Sequence, residues 1–118
     1  MTVNEKIKNA LEAFGLPVTT DFYGKGLDEY FTFNYADDRV ADFGDDSPLH
    51  VVAYMQIHYF SPMGKDYLCM KKQVRKALFD AGFTYPSVTD ATIVENGIRH
   101  LIFECEIENE NELLIQED

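Results

Sequence analysis

The fold is decided by the stretch Leu49-His50-Val51-Val52-Ala53-Tyr54-Met55-Gln56-Ile57-His58-Tyr59-Phe60. Successive side chains of a β-strand point to opposite faces, so the alternation along this stretch separates two surfaces. One surface is wholly apolar and consists of Val51, Ala53, Met55, Ile57 and Tyr59. The other is mixed and consists of Val52, Tyr54, Gln56, His58 and Phe60. We therefore predict a central strand with helices on its apolar side and a partly covered opposite side, where a subunit contact can sit.

Two amphipathic helices are predicted, one before and one after this strand. The first begins at a capping box formed by Thr2 and Glu5 and ends near Phe14, where a glycine and then a proline follow. The second runs from about Lys65 to Ala81, where another glycine follows. Its core-facing stripe consists of Tyr67, Met70, Val74, Ala77, Leu78 and Ala81.

Three further strands are predicted at 30–35, 90–95 and 98–107, the last two joined by a type I′ turn at Asn96-Gly97. The final strand would turn Leu101, Phe103, Cys105 and Ile107 toward the core and His100, Ile102, Glu104 and Glu106 away from it. The segment Ala36–Pro48 is too charged and too rich in Gly and Pro for a core element. We interpret it as a mobile acidic loop.

This order of elements predicts an α+β domain of the form α-β-β-α-β-β. We expect a mainly antiparallel sheet of about four strands, with both helices packed on one face. The domain covers residues 1–107, and a chain of 118 residues has room for one core. Residues 108–118 are interpreted as an acidic solvated tail with a short apolar docking patch at Leu113-Leu114-Ile115.

The charge of the chain excludes several classes of partner. With 21 acidic and 10 basic residues, the formal net charge is -11, which argues against general affinity for DNA, RNA or anionic lipid. We also expect no sequence-specific nucleic acid binding. No apolar run approaches the roughly 20 residues that span a bilayer, and no secretory leader is evident. We therefore expect a soluble protein with no membrane partner. In such a cytosolic setting Cys69 and Cys105 are expected to be reduced, partly buried thiols.

Few residues are arranged for catalysis or metal binding. His58 and His100 fall on the same outer face of neighbouring strands, which makes them the best candidates for a metal pair. A zinc site needs three or four ligands, and no HxH, CxxC or HExxH spacing occurs, so ordinary surface histidines are favoured. Cys69 is interpreted as a structural thiol because no His can be paired with it. We predict no catalytic residue, no metal and no cofactor.

Other polar segments also have simple interpretations. Gly24-Lys25-Gly26 lacks the frame of a P-loop and is read as a turn. Ser47 and Ser61 lie beside prolines and outside any G-x-S-x-G elbow. The acids of the Ala36–Pro48 segment do not follow the ligand positions of an EF-hand, which favours a charged loop over a calcium site.

The second helix concentrates the basic residues of the chain. The residues opposite its core stripe are Lys65, Lys72, Arg75 and Lys76, with Lys71 at the boundary. Leu68 and Phe79 project among these cations rather than into the core. Such a mixed basic and apolar face is unusual for a surface that is merely solvated.

The element order and local sequence together resemble the tail-completion, or tail-terminator, proteins of long-tailed phages and Gram-positive prophages. The resemblance covers about residues 1–107 and is carried by Phe14-Gly15-Leu16-Pro17, the strand Tyr30–Tyr35, the strand Gln56-Ile57-His58-Tyr59-Phe60-Ser61-Pro62, the helix Lys71-Lys72-Gln73-Val74-Arg75-Lys76-Ala77-Leu78-Phe79 with Gly82, and Arg99-His100-Leu101-Ile102-Phe103-Glu104. It implies a virion protein, not an enzyme, that is present in the host cytoplasm during assembly. Such a protein forms a ring-shaped homo-oligomer, such as a hexamer, at the head-proximal end of the tail. There it stops tail growth and joins the tail tube to the neck proteins.

A head-to-tail ring uses two different surfaces of each subunit, which should be complementary in charge. We predict that the basic and apolar helix face meets the acidic segment of a neighbour. The residues are Leu68, Lys72, Arg75, Lys76 and Phe79 on one side and Asp37, Asp38, Asp42, Asp45 and Asp46 on the other. An excess of acid would also suit a lumen through which DNA slides without sticking.

Two other functions stay open on the sequence alone. An acidic DNA mimic that inhibits a nuclease or another DNA-binding protein would explain the charge directly. It would need acids along one rigid surface, whereas here they gather in one segment and in the tail. A small enzyme would have only His58, His100 and Cys69 as reagents.

Overall fold

The computed structural model describes residues 2–21, 24, 26–44 and 47–108. The elements in chain order are helix α1 (Val3–Leu11), a 3-10 turn (Glu12–Phe14), strands β1 (Val18–Thr20), β2 (Tyr30–Gly44) and β3 (Ser47–Pro62), helix α2 (Tyr67–Asp80), strand β4 (Ser87–Asp90), a second 3-10 turn (Val94–Asn96) and strand β5 (Ile98–Glu108). Within the described residues, five strands form one sheet in the order β1-β2-β3-β5-β4. The predicted α+β class is confirmed.

Strand β3 lies at the centre of the sheet, antiparallel to β2 on one side and to β5 on the other. Its alternation is confirmed, because the apolar side is at most 4% exposed along its length. The opposite side, from Val52 to Phe60, is half-buried. The sheet therefore has one covered face and one open face.

Both helices pack on the covered face. The core joins Val3, Ile7 and Leu11 of α1, Val74 and Leu78 of α2, and the inward side chains of β2, β3 and β5. The inward residues of β5 are Leu101, Phe103 and Cys105, as predicted, with Ile107 packed at the edge. Burying an aliphatic or Phe side chain contributes about 1.5–3 kcal/mol, so this two-layer core is the main source of stability.

The ends of both helices follow from local chemistry. The Glu5 amide donates to Thr2 Oγ1 at 3.1 Å, and the Thr2 amide donates to the Glu5 carboxylate at 3.1 Å. This capping box is the one predicted, and its hydrogen bonds lower the pKa of Glu5. Helix α2 begins after Asp66, whose carboxylate accepts from the amides of Leu68 and Cys69 at 3.1 and 3.4 Å.

Strand β1 is a short parallel addition to β2 that the sequence analysis did not predict. Val18–Thr20 pairs with Phe31–Phe33, and the Phe31 amide donates to the Pro17 carbonyl at 2.8 Å. A strand of three residues is too short for alternation to distinguish it from a loop.

The prediction of a loop at 36–48 is wrong over the described residues. Strand β2 continues to Gly44 and β3 begins at Ser47, and the two pair to the Gly44–Ser47 end with bulges at Tyr35/Asp37, Val40/Asp42 and Asp42/Phe43. Strands can form there without apolar alternation, because pairing uses backbone N–H and C=O groups, which all residues except Pro supply in full. Asp45 and Asp46 lie outside the described residues.

For the closing hairpin, the prediction of which β5 side chains face the core is correct, but the predicted turn is wrong. Strand β4 is Ser87–Asp90 rather than 90–95, and the Asp90 carboxylate accepts from the Thr92 amide at 3.0 Å as the strand ends. Ile93 bridges to Ile98 across a 3-10 turn that ends at Gly97, with φ 69°. This four-residue connection replaces the two-residue type I′ turn. The register moves by two residues, so the same side chains still face the core.

Candidate interaction surfaces

The outward side of α2 carries the mixed basic and apolar surface that the sequence predicts. Leu68 and Phe79 are 57% and 56% exposed. Tyr85, just beyond the helix, is 56% exposed, and its ring stands edge-on to Phe79 with centroids 5.9 Å apart. The name α2 face is used below for Leu68, Lys72, Arg75, Lys76, Phe79 and Tyr85.

The main role of Arg75 is to position neighbouring residues of the α2 face, because its side chain is engaged in contacts within the subunit. Its Nε donates to the Pro86 carbonyl at 2.9 Å, and its guanidinium lies 4.7 Å from the centre of the Tyr85 ring. These two contacts hold the segment after α2 against the helix. Tyr85 therefore joins the surface because Arg75 positions it, a contribution that the helical periodicity of α2 cannot reveal.

Lys72 and Lys76 are the outward cations of the α2 face. Both are exposed, and Lys76 Nζ donates to the Asp80 carboxylate at 2.7 Å one turn along the helix. This hydrogen bond raises the pKa of Lys76. Exposed pairs of this kind are screened by solvent and contribute little to stability, so Lys76 can exchange Asp80 for another carboxylate.

The predicted acidic half of the interface lies on a different element. Asp37, Asp38 and Asp42 belong to β2, while Asp45 and Asp46 lie outside the described residues. Within the described residues, β5 pairs with β3 no further than Val52. Residues 40–44 and 47–51 pair with each other, and the name β-ribbon is used below for this antiparallel pair of segments. Asp42 lies on the β-ribbon, and Asp37 and Asp38 lie at its base.

The open face of the sheet carries a hydrogen-bond network across three strands. His58 is at its centre: Nδ1 lies 2.8 Å from His100 Nε2, and Nε2 lies 3.0 Å from Asn34 Oδ1. Asn34 donates to Gln56 at 3.4 Å, and Gln56 donates to Glu104 at 3.4 Å. The predicted proximity of the two histidines is thus confirmed.

The network assigns the protons of the histidine pair. Asn34 presents its amide oxygen, so His58 Nε2 is the donor and His58 Nδ1 accepts from His100 Nε2. Burial lowers the pKa of both histidines. The negative charge of Glu104 raises the pKa of His58 and that of Asp90 raises the pKa of His100, but in each case burial outweighs it. The charge of a protonated His58 lowers the pKa of His100 further. The pair can hold one extra proton in this geometry but not two.

This arrangement is a hydrogen-bond bridge between strands. The ring of Phe60 stacks on His100 with centroids 4.3 Å apart and on Tyr30 at 4.8 Å, which fixes the histidine rings from one side. Among the described residues, no three His, Cys, Asp or Glu side chains are grouped so that they could hold a metal ion. In the part of the chain that the structure describes, the histidine pair therefore brings two ligands together and no third.

The other polar candidates do not converge on a reactive site. Cys69 is exposed on α2, whereas Cys105 is buried, and burial raises the pKa of its thiol to about 12. Ser61 is fully buried, and its hydroxyl donates to the Pro62 carbonyl at 3.4 Å. Of the predicted turn at 24–26, Lys25 lies outside the described residues. In the described part of the chain, no helix is both long and apolar enough to cross a membrane.

One polar cluster was missed by the sequence analysis. The Glu29 carboxylate accepts from the Tyr59 hydroxyl and from Lys65 Nζ. Burial raises the pKa of Glu29, but these two hydrogen bonds outweigh it, and the net pKa is lowered. Tyr59 is fully buried among the core residues, so its hydroxyl needs a partner there. The three residues are far apart in sequence, and only the tertiary structure brings them together.

Within the described residues, the fold and surfaces define an α+β protein with a mixed five-stranded sheet, one open sheet face and the β-ribbon. No protein-family model and no curated protein matches the sequence. Among solved structures, a chain of the "Virion of native gene transfer agent (GTA) particle" has the same fold, with a TM-score of 0.56 and 15% sequence identity. The match covers 92% of this chain and 96% of that chain.

Proposed function

We propose that this chain is a structural protein of a phage or prophage virion, of the tail-completion type, and that it is not an enzyme. It forms a ring-shaped homo-oligomer at the head-proximal end of the tail and joins the tail tube to the neck. The observation that carries the proposal is the fold shared with a virion chain over nearly the whole length of both proteins. The resemblance in element order and local sequence supports the narrower tail-completion role.

The two predicted surfaces supply the ring contact. The α2 face offers exposed apolar side chains beside Lys72 and Lys76, and strand β2 carries Asp37 and Asp38 at the base of the β-ribbon and Asp42 on it. A two-stranded ribbon is marginally stable by itself, so it gains stability from packing on a neighbour. Because the two surfaces differ, their contact is head-to-tail and closes into a ring when the rotation allows it.

The structure sharpens the choice of variants. Reversing Lys72, Arg75 and Lys76 together would also break the contact of Arg75 with Pro86, so a folding defect would confuse the result. The double variant Lys72→Glu/Lys76→Glu changes exposed cations only. Its matched control is Lys6→Glu/Lys8→Glu on α1, which has the same change in net charge.

The test is mass in solution by light scattering, followed by negative-stain imaging. The unmodified chain is expected to form rings, the α2 variant to remain monomeric, and the α1 variant to assemble. A partner variant, Asp37→Lys/Asp38→Lys, should restore assembly to the α2 variant if the surfaces meet. An unmodified chain that stays strictly monomeric contradicts the ring, and a monomer that binds a nuclease supports the DNA mimic instead.

A further inference from the structure

An apolar cluster stands uncovered on the α2 face. Leu68, Phe79 and Tyr85 are each more than half exposed, although they are among the largest side chains of this region. Phe79 and Tyr85 are in contact, with ring centroids 5.9 Å apart, whereas Leu68 lies three helical turns away, at about 16 Å. Adjacent exposed apolar groups bordered by charges mark a surface that binds another segment. The charged border here is cationic, with Lys72 and Lys76. The α2 face therefore fits an acidic segment with an apolar centre.

The chain contains one segment of that composition outside the described residues. Residues 109–118 read Asn-Glu-Asn-Glu-Leu-Leu-Ile-Gln-Glu-Asp, with three consecutive aliphatic residues between two pairs of acids. Its formal charge is opposite to that of the α2 face, and its Leu113-Leu114-Ile115 centre matches the exposed rings. Both halves of the match, charge and apolar area, are thus present in the same ten residues.

Strand β5 ends close to the C-terminal end of α2, so residues 109–118 start there. Ile107 Cδ1 lies 3.6 Å from the position that a Cβ would take on Gly82, three residues after Phe79. The Thr84 amide donates to the Glu106 carbonyl at 2.9 Å, which holds β5 beside the segment that carries Tyr85. The chain therefore leaves the described region beside the C-terminal end of the α2 face.

The distances permit docking within one chain. Five residues from Glu108 to Leu113 reach up to about 17 Å when extended. The whole of α2, with 14 residues, is about 21 Å long. A segment tethered this closely has an effective local concentration of the order of millimolar, which favours its own chain over a neighbour in dilute solution.

We propose that residues 109–118 pack against the C-terminal part of the α2 face of their own chain, with Leu113-Leu114-Ile115 over Phe79 and Tyr85 and the flanking acids beside Lys72 and Lys76. This goes beyond the ring and concerns the free subunit. The segment covers the surface that a neighbour's β-ribbon would use, so assembly exchanges an internal acidic occupant for an external one.

The experiment uses a nitroxide label on Cys69 of the full chain. Cys69 is exposed on α2 at the border of the α2 face, whereas Cys105 is buried with a raised thiol pKa, so labelling is confined to one site. Paramagnetic broadening of the amides of 113–115 is then measured in dilute, isotope-labelled protein. We expect strong broadening of these amides, with loss of the effect on reduction of the nitroxide.

A mixing experiment distinguishes docking within one chain from docking on a neighbouring copy. Nitroxide-labelled chain without isotope is added to isotope-labelled chain without nitroxide, so that broadening reports contact between molecules only. The proposal predicts no broadening in this mixture. Broadening that appears only in the mixture assigns the segment to a neighbouring copy and overturns the proposal, as does the absence of broadening in both samples.

Variants test the chemistry of the contact. Leu113→Ser/Leu114→Ser and Lys72→Glu/Lys76→Glu should each lose the broadening, while Lys6→Glu/Lys8→Glu on α1 should keep it. Equal loss in the α1 variant would mean general charge attraction and would also overturn the proposal. Because the docking is measured in single chains, failure to form rings would contradict the proposed function without affecting this result.

Discussion

His58 and His100 bring their ring nitrogens to within 2.8 Å across strands β3 and β5, and His58 is held from its other side by Asn34. A single proton can be accommodated between these rings, because a second would place two N–H groups against each other. Burial lowers the pKa of both histidines. The pair therefore links the stability of the sheet to pH in the range where histidine titrates.

We expect the free energy of unfolding to fall as the pH decreases from 7 to 5. The unfolded chain takes up protons on these histidines at higher pH than the folded chain does, so acidification favours unfolding. The pKa values of Glu5 and Glu29 are lowered from the ordinary 4.5 of a glutamate, so their effect on stability belongs to lower pH.

Urea denaturation at each pH measures this slope. His100→Gln should flatten it, and His50→Gln measures the contribution of the third histidine. A flat profile for the unmodified chain between pH 7 and 5 would contradict the lowered pKa values.

Removing the Tyr59 hydroxyl should cost about 1.5–3 kcal/mol of stability, the usual range for a hydrogen bond to a charged group. Tyr59→Phe keeps the ring, which packs on Phe31 with centroids 5.3 Å apart, and removes only the donor to Glu29. Burial and Glu29 both raise the pKa of Tyr59, so the hydroxyl stays protonated and remains a donor at neutral pH. The measurement is equilibrium denaturation, with Tyr85→Phe as the exposed control. Equal stabilities of Tyr59→Phe and the unmodified chain would show that the buried hydroxyl has no net effect.

Two leucines of the same helix should differ sharply on truncation. Leu78 is fully buried, so Leu78→Ala should lower the free energy of unfolding by about 2–5 kcal/mol through lost burial and a residual cavity. Leu68 is 57% exposed, so Leu68→Ala should change it by about 0.5 kcal/mol or less. Thermal or urea unfolding distinguishes the two, and similar losses would mean that the assigned faces of α2 are wrong.

Gly97 should resist replacement by alanine for a backbone reason alone. Its φ of 69° lies in the left-handed region, while a Cβ built there meets no atom within 4 Å. Gly97→Ala should therefore cost about 1 kcal/mol, and Gly97→Asn less, because Asn adopts this conformation more readily. Denaturation of the two variants side by side checks the order, and a larger loss for Asn than for Ala would refute the explanation.

Local patterns in the sequence were sufficient for much of the fold. The alternation through β3, the Thr2–Glu5 capping box and the two faces of α2 each depend on neighbouring residues, and the structure has all three. The proximity of His58 and His100 followed from the same alternation applied to two adjacent strands. These features were predictable because strand and helix periods fix the direction of each side chain.

The incorrect predictions all concern which strands pair, and none concerns the periodicity of a helix or strand. Strand β1, the β-ribbon and the turn at Gly97 depend on which backbone groups find partners, and backbone hydrogen bonding leaves little trace in residue type. The acidic composition of 36–48 therefore predicts a loop, although its described residues form strands.

By itself, the sequence determined the class of fold, the covered face of the sheet and the basic and apolar surface of α2, because periodicity and charge encode them directly. Only the tertiary structure decided that Glu29 joins Tyr59 and Lys65, that Arg75 is engaged with Pro86 and Tyr85, and that Asp37, Asp38 and Asp42 lie in strand β2. Each of these depends on contacts between different elements of the fold. Such contacts form only when burial of the core has already fixed the relative positions of the elements.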